Sequence, residues 1–169
     1  MKTAVHNRQR KYAVDRAAVA ALLRAFVPNI LKARPADKWD EISVLLVDDA
    51  AIAEINEQAV GHTGPTDVIT LEYPPMPGAG EGGVAEVIVN LDAAWTVGPR
   101  HHSTPARELA LYIAHSCDHL CGLDDATTAE RARMRRRELR WLAALPAIPD
   151  GIFRPNAMKH PFSLSRDGR

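Results

Sequence analysis

The segment from Ile42 to Val47, ISVLLV, is apolar at nearly every position. A strand with one face in solvent alternates apolar and polar residues, whereas a strand covered on both faces is apolar throughout. We therefore predict a buried strand here, and such a strand requires other elements packed against both faces of its sheet. The chain has 169 residues, of which 46% are hydrophobic and 25% charged, which suits a single globular domain.

Further strands and helices are predicted on both sides of this segment. Strands are predicted over residues 3–9, 66–73 and 84–91, where β-branched residues are frequent. Helices are predicted after Asp15, after Asp48 or Asp49, after Asp92, from Pro105 through Cys121, and from the capping box of Thr127 and Glu130 to about Ala144. We expect Pro28 or Pro35 to end the first helix and Gly98-Pro99 to end the third. This order of elements predicts an α+β fold, with a mixed sheet of about four strands flanked by helices.

The domain is expected to cover residues 1–144, followed by a tail at 145–169 that holds four prolines and little periodicity. No apolar run approaches the ~18–20 residues that span a bilayer, so we expect no membrane association. The basic N-terminus is not followed by an apolar stretch, which disfavours a secretory signal. The two cysteines are too few for a disulfide scaffold and favour a cytoplasmic location.

The formal net charge is zero, but the charges are segregated along the sequence. Residues 1–39 hold nine Lys or Arg against two acidic residues, residues 40–92 hold eleven Asp or Glu and no Lys or Arg, and residues 93–169 hold twelve basic against eight acidic residues. Segregation suggests an anionic partner or a metal, unless the blocks mix in space and cancel. If RNA is the partner, we expect the acidic block to face away from it.

Two histidines, His115 and His119, lie four residues apart on the predicted helix at 105–121. This spacing places both imidazoles on one helix face, roughly 5–6 Å apart at Cβ, which allows chelation of one ion. Gly122 tolerates a positive φ and lets the chain turn, so that Asp124 or Asp125 can return towards the histidines. Two His and one carboxylate form a catalytic zinc set with an open position. The alternative is two histidines that share a helix face without a metal.

The neighbouring residues limit the possible chemistry. Cys117 and Cys121 lie away from the histidines on the helix and are interpreted as core residues. Ser116 stands where zinc proteases of the H-E-x-x-H type place their general base, so a peptidase mechanism lacks that group. Asp118 is expected at the surface or behind the metal ligands.

The stretch H-S-C-D-H-L-C-G-L-D-D at 115–125 resembles the signature H-G-x-L-H-L-x-G-Y-D-H of the YbeY family. That family comprises metal-dependent endoribonucleases that act in ribosomal RNA maturation. Arg107-Glu108-Leu109 resembles its R-E-L helix entry, and the segment at 64–71, GPTDVITL, is similar to its P-T-D-V-L-S-F strand. The resemblance extends over about residues 3–144.

The resemblance implies one Zn²⁺ ion held by His115, His119 and Asp125, with Asp125 in place of the family's third histidine. It also implies single-stranded ribosomal RNA precursor as substrate, with the small ribosomal subunit as a candidate partner. The family's basic pair ahead of P-T-D aligns with Val60 and His62, so the arginine that handles phosphate is missing here. We expect His62 to contact phosphate or leaving group and Asp67 to orient a ligand histidine.

Basic residues on the last predicted helix are candidates for RNA contact, namely Arg131, Arg135 and Arg136, although arginines on an exposed helix often serve only solvation. A rival function is a non-catalytic ribosome-assembly factor with a structural zinc, which the valine at position 60 favours. Structural zinc sites normally have four protein ligands, and the three found here favour catalysis. A metallopeptidase is the third alternative.

Overall fold

The computed structural model describes residues 1–75, 78 and 80–156 of the chain. Its strands are β1 (Lys2–Asn7), β2 (Tyr12–Val14), β3 (Trp39–Val47), β4 (Val68–Tyr73), β5 (Gly83–Asn90) and β6 (Phe153–Pro155). Four of them form one mixed sheet in the order β1-β3-β5-β4, in which β4 runs antiparallel to β5 and the other pairs are parallel. The predicted α+β architecture with a four-stranded mixed sheet is confirmed.

Strand β3 is covered on both faces, as its apolar sequence predicts. Val44 and Leu46 lie in the larger of two hydrophobic cores. Leu45 and Val47 point to the opposite face and pack in a smaller core that includes Ile52. Because side chains alternate between the faces of a strand, only a continuous apolar run fills both cores.

The described residues contain five α-helices: α1 (Arg16–Ala33), α2 (Asp49–Ile55), α3 (Leu91–Arg100), α4 (Pro105–Leu120) and α5 (Thr128–Ala143). Helix α4 is the central one, since it packs against α1, α3, α5 and the sheet. Its N-terminus is fixed by Thr104, whose Oγ1 accepts a hydrogen bond from the backbone N–H of Arg107 at 3.1 Å. Helix α5 begins with the predicted capping box of Thr127 and Glu130. No described helix combines the length and the hydropathy needed to cross a bilayer.

The predicted end of the third helix at Gly98-Pro99 is wrong, and the first helix ends before Pro35 rather than at Pro28. Helix α1 continues through Pro28, which is exposed, while the buried Val27 and Ile30 on either side keep the helix packed. Helix α3 likewise continues through Pro99 to Arg100, and its N-cap is Asn90 rather than Asp92. In both helices, tertiary packing outweighs the loss of one backbone hydrogen bond at proline.

Residues 150–155 belong to the packed domain rather than to a tail. A 3₁₀ turn at Asp150–Ile152 leads into β6, which pairs antiparallel with β2. Ile152 and Phe153 are each 1% exposed and lie in the larger core. The ring of Phe153 contacts those of Tyr12 and Trp95 at centroid distances of 5.4 and 5.8 Å. Of the predicted tail, residues 157–169 lie outside the described residues.

Candidate metal centre

Three side chains converge where α4 ends. The Nε2 atoms of His115 and His119 are 3.1 Å apart, and Oδ2 of Asp125 lies 3.8 Å from Nε2 of His115. The three ligand atoms all lie within 4.8 Å of one another, and each residue is partly exposed. Two imidazole nitrogens and one carboxylate oxygen suit a divalent ion with bonds of ~2.0–2.2 Å. The residues nominated from the sequence are therefore brought together.

The turn after α4 depends on Gly122, which has a φ of +82°. Its N–H donates to the carbonyl of His119 at 2.8 Å, and the N–H of Leu123 donates to the carbonyl of Asp118 at 3.2 Å. These two bonds form a Schellman motif, which glycine permits at this position. The turn also brings the Leu123 carbonyl to 3.0 Å from Nδ1 of His119.

The loop beyond the turn distinguishes Asp124 from Asp125. Oδ1 of Asp124 accepts the N–H of Asp125 at 2.7 Å, so Asp124 shapes the loop. Asp125 is the carboxylate that joins the histidine cluster. Nη1 of Arg131 donates to the carbonyls of Asp125 and Ala126 at 2.8 and 3.0 Å. Arg131, nominated for RNA contact, is therefore engaged in fixing the ligand loop.

Sequence reasoning missed Glu138. Its Oε1 lies 2.7 Å from Nδ1 of His115, and its side chain is 4% exposed. With Nδ1 of His115 held by Glu138 and Nδ1 of His119 held by Leu123, the Nε2 atoms are left for the metal. A signal was present in the sequence, because Glu138 occupies the buried stripe of α5 between Met134 and Leu142 at four-residue spacing.

Asp67 does not hold a histidine, contrary to prediction. Its Oδ1 accepts hydrogen bonds from Oγ1 of Thr66 at 3.1 Å and from the backbone N–H of Val68 at 2.9 Å. The orienting contact is made by Glu138 instead. Burial lowers the pKa of His115, but the hydrogen bond and charge of Glu138, with the charges of Asp125 and Asp67, outweigh burial and raise this pKa above its ordinary value.

Asp118 is fully buried rather than at the surface. Its Oδ1 accepts a hydrogen bond from Nε of Arg137 at 2.8 Å, which ties α5 to α4 between the two ligand histidines. Burial raises the pKa of Asp118, although the bonded Arg137 opposes this shift. Cys117 is fully buried and its thiol pKa is raised by burial, as expected of a core residue. Ser116 is also fully buried and therefore closed to substrate.

The ligands lie in an open groove of about 670 Å³. His62 is exposed on its wall, and Val60, which is 44% exposed, also lines it. Among the described residues that line this groove, none is Lys or Arg. Asp67 and Glu72 do line it, so the acidic block does not face away from the site as a whole.

The charged blocks of the sequence partly neutralise each other in space. Lys11 pairs with Asp92 at 2.5 Å, Arg34 with Glu72 at 2.8 Å, and Lys38 with Glu81 at 2.9 Å. Each pair joins the basic N-terminal block to the acidic middle. The segregation of charge along the sequence therefore does not produce a protein with one basic face and one acidic face.

The remaining two nominated arginines lie on the exposed part of α5. Nη1 of Arg135 is 3.7 Å from Oε2 of Glu138, and the Arg135 side chain is 52% exposed. Arg136 is exposed, and its side chain makes no hydrogen bond or ion pair within the part of the chain that the structure describes. Both remain available to an anionic ligand.

The family model for endoribonuclease YbeY matches residues 4–146. An endoribonuclease YbeY of Pelotomaculum thermopropionicum is 36% identical over 149 residues, covering 86% of this chain and 97% of that protein. Another, of Elusimicrobium minutum, is 33% identical over 134 residues, covering 79% of this chain and 87% of that protein.

A protein of Thermotoga maritima solved in solution has a similar fold, with a TM-score of 0.52. The match covers 83% of this chain and 87% of that one at 22% identity. The family match spans α4, the Gly122 turn and α5, which together build the metal centre. This chain belongs to the endoribonuclease YbeY family.

Proposed function

We propose that this protein is a metal-dependent endoribonuclease that cleaves single-stranded RNA during ribosomal RNA processing. Membership of the YbeY family supports the ribonuclease activity. The ribosomal RNA precursor, and contact with the small ribosomal subunit, are proposed from the same resemblance.

The observation that carries the proposal is the convergence of His115, His119 and Asp125 in an open groove. Three protein ligands leave a coordination position for water, as in catalytic zinc sites. The donor set fits Zn²⁺, and we propose one such ion at this position. When bound, the ion would supply a water of lowered pKa and a positive charge for the scissile phosphate.

The residues of the groove explain why a cation is needed. Asp67, Glu72 and Asp125 line it, and carboxylates repel a phosphodiester. Glu72 is paired with Arg34, which offsets one of these charges. His62, on the wall of the groove, is suited to contact phosphate or to donate a proton to the leaving oxygen.

Val60 favours a second candidate function, a non-catalytic ribosome-assembly factor. Val60 lines the groove where related proteins are expected to carry a phosphate-binding arginine. A protein without that cation could keep RNA binding and lose cleavage. A metallopeptidase has less support, because Ser116 stands in place of the general base and is fully buried.

The decisive experiment measures cleavage of single-stranded ribosomal RNA by three samples. These are the wild type with Zn²⁺, the wild type treated with a chelator and then reloaded, and His115→Ala. We expect cleavage only by the metal-loaded wild type, restored on reloading. Equal cleavage by the metal-loaded wild type, by the chelator-treated wild type before reloading and by His115→Ala would contradict the zinc-nuclease proposal. RNA binding without cleavage in every sample would favour the assembly-factor alternative.

A further inference from the structure

A second cavity of about 400 Å³ adjoins the metal groove. Thr66 and Asp67 line both spaces, so they form a two-residue ridge between them. The cavity lies within the size range of small-ligand sites. This shared ridge makes the cavity the adjoining space for an RNA strand whose scissile phosphate lies at the metal centre.

Arg135 lines the second cavity and supplies the type of cation that the groove lining lacks. The Arg135 side chain is 52% exposed, and its ion pair with Glu138 is long at 3.7 Å. Only the Arg135 end of this pair is exposed, whereas Glu138 is buried and also contacts His115 through Oε1 at 2.7 Å. Arg135 can therefore move to a phosphate while Glu138 keeps a partner. Arg135 is thus available to take a phosphate beside the metal centre, on the opposite side of the ridge from Val60.

Glu108 is a buried carboxylate that the proposed reaction does not use. It is 7% exposed and lines the same cavity beside Tyr112. Burial and the nearby Glu108 carboxylate raise the pKa of Tyr112, so the phenol stays protonated. A carboxylate accepts hydrogen bonds from the amino group of a base such as cytosine and repels the O4 oxygen of uracil.

A second metal ion is a poor occupant for this cavity. Asp49, Asp67 and Glu108 all line it, but among the described residues the only group of three ligand atoms close enough for an ion is the centre at His115. A free phosphate is also disfavoured inside the cavity, because these carboxylates would repel it. The lining therefore favours a base in the cavity and a phosphate at the Arg135 edge.

We propose that this cavity binds the nucleotide next to the scissile phosphate, with an amino-bearing base against Glu108 and the following phosphate on Arg135. The proposal rests on the ribonuclease function, since it assumes that RNA occupies the metal groove. It assigns to α5 the phosphate contact for which the groove offers no Lys or Arg among its described residues.

The phosphate contact is tested by a double-substitution cycle on binding, measured by fluorescence anisotropy with Zn²⁺ present. The RNAs carry a non-hydrolysable methylenephosphonate at the scissile linkage so that no cleavage occurs. Short single-stranded RNAs carry a neutral methylphosphonate at each position in turn. At one position next to the cleavage site, neutralisation should weaken binding by the wild type and have no effect on binding by Arg135→Ala. Arg135→Ala should also reduce the slope of log K against log salt by about 0.7.

Arg133→Ala is the matched control, because Arg133 is exposed on the same helix and does not line the cavity. Coupling here is the part of the change in RNA binding that is not additive when an arginine and a phosphate charge are both removed. For Arg133 this coupling should be smaller at every phosphate than the coupling found for Arg135. If no phosphate couples to Arg135, or if RNA does not bind, the proposal is overturned.

The base contact is tested with RNAs that differ only by cytidine or uridine at the neighbouring position. The wild type should bind the cytidine RNA more tightly, and Glu108→Gln should lose this preference, because an amide both donates and accepts. Equal binding of both RNAs by the wild type would contradict the proposed contact between the base and Glu108. This comparison uses only the wild-type protein, so it does not depend on whether Glu108→Gln folds.

Cleavage of the same RNA sequences with an unmodified scissile linkage, measured with metal, separates this proposal from the function on which it rests. Coupling to Arg135 without cleavage would support the nucleotide site and contradict the ribonuclease function. Cleavage without coupling to Arg135 and without a base preference would support the ribonuclease function and contradict the nucleotide site.

Discussion

Nδ1 of His115 lies 2.7 Å from Oε1 of Glu138, although the two residues are 23 positions apart in the chain. This contact joins the helix that carries the two ligand histidines to the helix that carries the nominated arginines. It fixes the ring orientation of His115 from a buried position.

Replacing Glu138 should weaken metal binding. Glu138→Gln removes the charge that supports the imidazole, and Glu138→Ala also removes the acceptor. We expect zinc affinity to fall by about 10–100-fold in Glu138→Ala and by less in Glu138→Gln, measured by competition with a chromophoric chelator. Glu57→Gln is the control, because Glu57 is exposed and does not line the groove. Equal losses in all three variants would contradict the proposed orienting role.

Exchanging Asp125 for histidine should change which metal is preferred. Carboxylates suit Mn²⁺ and other hard cations, whereas imidazole suits Zn²⁺. We therefore expect Asp125→His to raise the ratio of Zn²⁺ to Mn²⁺ affinity, measured by calorimetric titration of each ion. Asp124→Asn, which keeps a hydrogen-bond acceptor for the loop, should leave the ratio unchanged. The opposite pattern would identify Asp124 as the ligand.

The Gly122 turn is open to a direct test of backbone strain. Gly122→Ala places a Cβ at a φ of +82°, which should lower the free energy of unfolding by about 1–2 kcal/mol. Metal affinity should fall as well, because the turn positions both the Leu123 carbonyl and Asp125. Gly151→Ala is the control, since Gly151 has no positive φ and no atom within 4 Å of the added Cβ. A Gly122→Ala variant as stable as Gly151→Ala would refute the strain argument.

Asp92 should make stability depend on acid pH. Burial raises its pKa, but hydrogen bonds from Lys11, the backbone of Asp49 and Tyr12 outweigh burial and lower the pKa below its ordinary value. A carboxyl with a lowered folded-state pKa stabilises the protein above its unfolded pKa of ~3.9, and this contribution is lost as pH falls through the folded pKa.

We therefore expect Asp92→Asn to be less stable than the wild type at pH 7, by about 1–2 kcal/mol. The difference should shrink below about pH 4, where the carboxyl of the unfolded chain becomes protonated, and should be lost as pH falls through the lower folded-state pKa. Denaturant unfolding at several pH values measures both quantities. Glu81→Gln removes an exposed pair and should show no such trend. A constant difference across the pH range would argue against the lowered pKa.

Phe153 lies beyond residue 144, the predicted end of the domain, yet its side chain is buried in the larger core. Truncating it should therefore lower the free energy of unfolding strongly. Phe153→Ala should cost about 3–5 kcal/mol, because its ring is 1% exposed and packs on Tyr12 and Trp95. The neighbouring Arg154→Ala should change little, since Arg154 is exposed. Thermal or denaturant unfolding measures both. A small effect of Phe153→Ala on stability would indicate that residues 150–155 do not contribute to the packed domain.

The amino-acid sequence by itself determined the local features of this protein. The apolar run of β3 required covered faces, and the four-residue spacing of His115 and His119 placed both rings on one side of α4. Gly122 marked a helix end through its positive φ and its backbone N–H, and Thr127 marked a helix start through its side-chain oxygen, which accepts the N–H of Glu130. These features are readable because the atoms involved lie within one helical turn of each other.

Only the tertiary structure decided which distant side chains meet. The packing of α5 on α4 brought Glu138 to His115 and Arg137 to Asp118, and it left Asp67 without the orienting role that its position in sequence suggested. The placement of Phe153 in the core depended on the pairing of β6 with β2. Contacts between residues far apart in the chain depend on how whole elements pack, and residue spacing carries little information about that.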